Sequence, residues 1–138
     1  MALSATYLAD KSALARFRVP VVAARLRPLL EEGLIATCAI VDLEVLYSAR
    51  SLSDYEGVLQ ERQALESAPI TPEVLSEAIE LQYRLAQRGQ HRVPIPDLII
   101  SAASKKAGLT VLHYDSDFER IAQVGGAAQE WVVPAGSV

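Results

Sequence analysis

Short apolar runs alternate along the chain with longer stretches in which apolar residues recur at helical spacing, a pattern that predicts an α/β protein with a parallel sheet. Strands are expected at residues 5–9, 34–37, a short piece near Pro69-Ile70, 109–113 and 130–133, with helices in the intervals. Residues 21–32 read as a helix with Pro20 at its start and Gly33 past its end, although Pro28 is expected to kink or divide it. Ser53-Asp54-Tyr55-Glu56 has capping-box spacing, with Leu52 as the hydrophobic staple. Thr71-Pro72-Glu73 opens the clearest helix, in which Val74, Ala78, Leu81 and Leu85 form a core stripe that ends near Gly89. Residues 90–96 are the one sizeable loop.

Four carboxylates break this pattern by sitting inside or beside apolar runs. Asp10 ends Tyr7-Leu8-Ala9, and Asp115 ends the strand-like Leu109-Thr110-Val111-Leu112-His113-Tyr114. Glu44 lies within Ile40-Val41-Asp42-Leu43-Glu44-Val45-Leu46, and Asp97 opens Leu98-Ile99-Ile100-Ser101-Ala102-Ala103, a run too apolar for a surface helix. An ionised carboxylate out of water costs several kcal/mol unless it is paired or bound to metal, and few cations stand beside these acids in the chain. Each acid also has a structural explanation: Asp10 or Asp115 as an N-cap, Asp97 and Asp117 as favourable charges in a helix's first turn. It is the recurrence at four places that points to a divalent metal. Right-handed crossovers gather strand C-termini along one edge of a parallel sheet, where Asp10 and Asp115 fall and where Glu44 and Asp97 are able to converge.

Composition narrows the field. With 138 residues, 51% of them hydrophobic, the chain is expected to fold as one domain over residues 1–138. No apolar stretch approaches the roughly 20 residues of a membrane span, and a cytoplasmic protein is expected. Cys38 is the single cysteine, so internal disulfides and zinc clusters are excluded and a core role is expected. A net charge of −4 argues against a broad basic nucleic-acid surface, but bound divalent ions would reverse the local charge for a phosphate substrate.

Carboxylates without a histidine or cysteine ligand set favour Mg²⁺ or Mn²⁺ over zinc, and such sites act on phosphate esters. A receiver-like phosphotransfer domain or metal-dependent phosphatase also gathers acids at strand ends, but a phosphoacceptor aspartate needs a lysine near a late strand and none follows Lys106. A noncatalytic binding module has no need for such costly charges. Among the remaining residues, His113 and Trp131 read as structural, and Asp42, on another helical face than Glu44, as a solvated or capping acid. Ser116 reads as the N-cap of a helix that places Asp117 in its first turn and Glu119 at capping-box spacing. Lys11 and Arg92 are candidates for contact with substrate phosphate.

Taken together, Tyr7-Leu8-Ala9-Asp10-Lys11-Ser12-Ala13-Leu14, Val41-Asp42-Leu43-Glu44-Val45-Leu46, Ile95-Pro96-Asp97-Leu98-Ile99-Ile100-Ser101-Ala102 and His113-Tyr114-Asp115-Ser116-Asp117-Phe118 resemble a PIN-domain ribonuclease of the VapC toxin type over essentially the whole chain. The resemblance implies a three-layer α/β/α fold around a mainly parallel sheet of four to five strands. It further implies a pocket for one or two Mg²⁺ or Mn²⁺ ions and hydrolysis of RNA to 5′-phosphate and 3′-hydroxyl ends. A homodimer and a VapB-type antitoxin are its implied partners. By resemblance Asp10, Glu44, Asp97 and Asp115 take the four catalytic positions, with Asp10, Asp97, Asp115 and Asp117 toward metal and Ser12 as a supporting hydroxyl. Lys11 and His113 depart from the family pattern, where small hydroxyl residues are common.

Overall fold

The sheet is built from strands of two to four residues: β1 (Tyr7–Ala9), β2 (Ile35–Thr37), β3 (Glu66–Ser67), β4 (Thr110–His113) and β5 (Gln129–Trp131). They run parallel in the order β3-β2-β1-β4-β5 in this computed structural model, which describes residues 3–138. Tyr7 pairs with Ile35 on one side and with Thr110 on the other. The chain works outward from β1 through β2 to β3, then crosses back to lay β4 on the other side of β1. That reversal makes the gap beyond β1 and β4 the topological switch point, the usual ligand crevice of an open parallel sheet.

Alternation along the strands divides the core into two layers. Leu8, Ala36 and Val111 face one layer with Val41, Val74, Leu81, Ile100, Phe118 and Ile121. Ala9, Ile35 and Leu112 face the other with Ala13, Val22, Leu26 and Val132. The first layer is covered by α3 (Ala39–Tyr47), α5 (Pro72–Ala86), α6 (Ile95–Ala107) and α7 (Asp117–Gln123), the second by α1 (Lys11–Leu14) and α2 (Pro20–Glu31), while α4 (Leu52–Gln63) packs on α3. The α/β/α expectation holds, and no helix among the described residues is long and apolar enough to cross a membrane.

Local expectations differ in three places. β3 lies at Glu66–Ser67 and not at Pro69-Ile70: the ladder ends with the Ala68 amide on the Thr37 carbonyl, and Pro69 has no amide to extend it. Pro28 leaves α2 undivided; it falls in the last turns, where its carbonyl still accepts from the Glu32 amide and buried Val22 and Leu26 hold the helix down. The cap of α4 is Ser51, whose Oγ accepts from the Asp54 amide at 3.1 Å, so Ser53 and Leu52 lie inside the helix. The α5 expectation holds, with the Thr71 hydroxyl accepting from the Val74 amide.

Candidate metal centre

Each acid reaches the switch point from a different element. Asp10 follows β1 and caps α1, its Oδ2 accepting from the Ser12 amide at 2.9 Å and the Ser12 hydroxyl at 2.6 Å. The same hydroxyl accepts from the Tyr114 amide at 2.9 Å, so Ser12 ties the end of β1 to the end of β4. The N-cap and site readings of Asp10 are therefore compatible. Asp97 occupies the first turn of α6 and is only 6% exposed. Glu44 projects from the middle of α3, and Asp115 lies in the turn from β4 into α7.

The α7 cap is a correction. Ser116 is helical in its own backbone and makes no side-chain cap; instead Asp115 Oδ1 accepts from the Asp117 amide at 3.0 Å. The acid expected to face the pocket thus also fixes the start of the helix that carries Asp117.

Carboxylate oxygens of Asp97, Asp115 and Asp117 all lie within 4.8 Å of one another. Two buried oxygens here, Glu44 Oε1 and Asp97 Oδ2, have no hydrogen-bond partner. Burial, and then the charges of Asp10, Asp115, Asp117 and Glu44, push the Asp97 carboxyl up from 3.8 to about 8. The favourable helix N-terminus does not offset that crowding. Burial followed by the Asp10 charge also raises Glu44, against the opposing pull of Lys11. Asp115 is raised by burial first, with the neighbouring Asp117 and Asp10 charges adding to it and the Asp117 amide opposing. Crowded hard oxygen donors, two of them orphaned, fit a divalent cation.

Among the described residues, two cations pair with these acids. Lys11 Nζ is 4.0 Å from Glu44 Oε2, and Arg120 pairs with Asp117 one helical turn away, a partner readable from the i, i+3 spacing but overlooked in the sequence. Arg92 lies exposed on the loop leading into α6. Asp42 is a half-buried ion-pair partner and not a cap: its Oδ1 accepts from Arg62 Nε at 2.9 Å and from Thr37 Oγ1 at 2.8 Å, and the Arg62 side chain is buried. His113 is fully buried, as expected of a structural histidine; burial pushes its imidazole below the usual range, against the hydrogen bond to Gln129.

A PIN domain family model matches residues 7–124, spanning every element that contributes an acid. The chain belongs to the PIN domain family. Among PIN relatives, Ribonuclease VapC21 of Mycobacterium tuberculosis is 46% identical over 98% of this chain and 99% of its own length. Ribonuclease VapC51 of the same organism is 41% identical over 96% of each chain. Solved structures share the fold: the DNA-bound VapBC complex of Salmonella typhimurium superposes with a TM-score of 0.74 at 18% identity, covering 94% of this chain and 99% of that one. FitAB bound to a DNA fragment gives 0.75 at 18% identity, over 92% and 95% respectively. The PIN fold thus accounts for both the sheet order and the edge at which the acids meet.

Proposed function

We propose that this chain, working as one PIN unit over residues 1–138, is a metal-dependent endoribonuclease and the toxin of a toxin–antitoxin pair, active in the cytoplasm. The observation that carries the reading is the cluster of Asp97, Asp115 and Asp117 carboxylates at the β1/β4 switch point, with an orphaned buried oxygen on Asp97 and another on Glu44 nearby. Near-full-length identity to ribonucleases named VapC supports the RNA substrate, and likeness to VapBC complexes supports an antitoxin partner. Asp97, Asp115 and Asp117, whose carboxylates cluster, would hold Mg²⁺ or Mn²⁺ as one ion or two, with Asp10 as the further acid toward metal on the same edge. When bound, the metal supplies Lewis-acid stabilisation of the phosphoryl oxygens and a lowered pKa for attacking water.

The protein's own groups do the rest. Ser12 locks the Asp10 carboxylate and the end of β4 in one arrangement. Glu44, held above the usual carboxylate range, is suited to take a proton from the attacking water through its unpartnered Oε1. Lys11 and Arg92 are candidates to hold flanking phosphates. Products carry 5′-phosphate and 3′-hydroxyl ends. The receiver-like alternative lacks its lysine: Lys105 is committed to Glu77 at 3.4 Å and to the Gly125 carbonyl at 2.8 Å. Exposed Leu43, Tyr47 and Leu52 on α3 and α4, and Leu75, Ile79 and Tyr83 on α5, suit a chain that works with an antitoxin and as a homodimer.

Sequencing of RNA 5′ ends after induced expression tests the reading. New 5′-phosphate ends at defined positions, absent with Asp97→Asn, are expected. An unchanged end profile, with metal-dependent hydrolysis of a generic phosphomonoester, would replace the nuclease with a phosphatase.

A further inference from the structure

The turn that carries two of the three clustered acids is held from beneath by a chain of hydrogen bonds beginning on the edge strand. His113 Nδ1 accepts from the Asp115 amide at 3.0 Å, and Asp115 Oδ1 accepts from the Asp117 amide at 3.0 Å. On the other side of the ring, His113 Nε2 and Gln129 Oε1 are 2.6 Å apart. A backbone amide can only donate, so Nδ1 is the unprotonated nitrogen and the proton resides on Nε2, donated to the Gln129 carbonyl oxygen. The ring is fully buried between Phe118 and Trp131, with centroid separations of 5.1 and 5.0 Å.

We propose that His113 is a positioning residue for the metal centre: its Nδ1, held unprotonated by Gln129, anchors the Asp115 amide and so sets the carboxylates of Asp115 and Asp117 against Asp97. The proposal rests on the metal-dependent reading above. It gives a use to a side chain that sequence reasoning assigned to the core, and to Gln129, which carried no local signal. A hydrogen bond that fixes the backbone of a ligand residue acts as an outer-shell support, and losing such support typically costs about 10- to 100-fold in metal affinity or activity.

Two substitutions split the ring's functions. In His113→Asn the amide oxygen stands at the δ position and accepts from the Asp115 amide; in His113→Gln the polar atoms stand at the ε position and reach Gln129 only. Mn²⁺ binding to the intact protein, followed by titration calorimetry, is expected to weaken about tenfold or more for His113→Gln and to stay near wild type for His113→Asn, with both variants folded by circular dichroism. Gln129→Leu, at a half-buried position, supplies a second route that leaves the imidazole in place; weaker Mn²⁺ binding is expected there as well. Imidazole ¹⁵N shifts of the metal-free wild type are expected to report an Nε2-protonated ring.

Equal Mn²⁺ affinity in wild type, His113→Gln and Gln129→Leu would overturn the positioning role and leave the metal centre standing, as would a proton on Nδ1. Failure of the wild type itself to bind Mn²⁺ would overturn both.

Discussion

Helix α3 carries two acids, Asp42 and Glu44, in opposite circumstances. Asp42 is partnered by Arg62 and Thr37, and that network pins α4 and the end of β2 onto α3. Glu44 faces the acidic edge with one oxygen unpartnered and with Asp10 raising the cost of its charge. Their residue types are nearly alike and their chain positions nearly adjacent. What separates the two acids is how fully the fold satisfies them: Asp42 has a buried guanidinium and a hydroxyl donating to it, whereas Glu44 has only Lys11 at 4.0 Å and keeps one buried oxygen without a partner.

The comparison is broken most directly by exchanging the roles. Glu44→Gln, Asp97→Asn and Asp115→Asn are each expected to lower single-turnover RNA cleavage by about a hundredfold or more, the scale of losing one key electrostatic contact, without loss of folding. Asp42→Ala is expected to do the reverse. It strands the buried Arg62 guanidinium and costs about 3 kcal/mol of stability, read from urea denaturation, while cleavage per folded molecule stays near wild type. Should Asp42→Ala abolish cleavage without destabilising, the division of labour on α3 is wrong.

A finer contrast lies within the cluster. Asp117 retains Arg120 as a partner and lies beyond the turn that Asp115 organises, so Asp117→Asn is expected to cost clearly less than Asp115→Asn at saturating Mn²⁺. A larger loss for Asp117→Asn in single-turnover cleavage would move the primary ligand role to that residue.

The edge acids also predict a dependence on pH. Asp97 keeps its proton to about 8 in the folded protein, against 3.8 ordinarily, so over that window the folded state binds a proton that the unfolded chain has released. Stability without metal should therefore fall as pH rises between about 4 and about 8, with Glu44 and Asp115 acting in the same direction. Melting curves of metal-free Asp97→Asn are expected to show a flatter slope over the window.

Much of this was legible in the sequence because it is local. The period of apolar positions located β1, β2, β4 and α5, and acids interrupting apolar runs marked Asp10, Glu44, Asp97 and Asp115. What escaped depended on distant partners. Nothing around Asp42 announces Arg62, which arrives from the following helix, and nothing around His113 announces Gln129, which arrives from β5. Ser116 had the spacing of a cap, but the Asp115 carboxylate reaches the Asp117 amide first, so a local rule lost to a neighbouring residue. β3 was misplaced for a similar reason: two residues of ladder leave no periodicity to read.

The proposed function turns on the clustered carboxylates of Asp97, Asp115 and Asp117 binding a divalent metal, and thermal melting with and without Mn²⁺ tests it. An ion that binds only the folded state stabilises it by about 2.7 kcal/mol at a hundredfold excess over Kd. The wild type should melt several degrees higher in millimolar Mn²⁺, EDTA should reverse the shift, and Asp97→Asn should show little of it. Coincident melting curves for the wild type with and without Mn²⁺, or an equal shift in Asp97→Asn, would contradict the account.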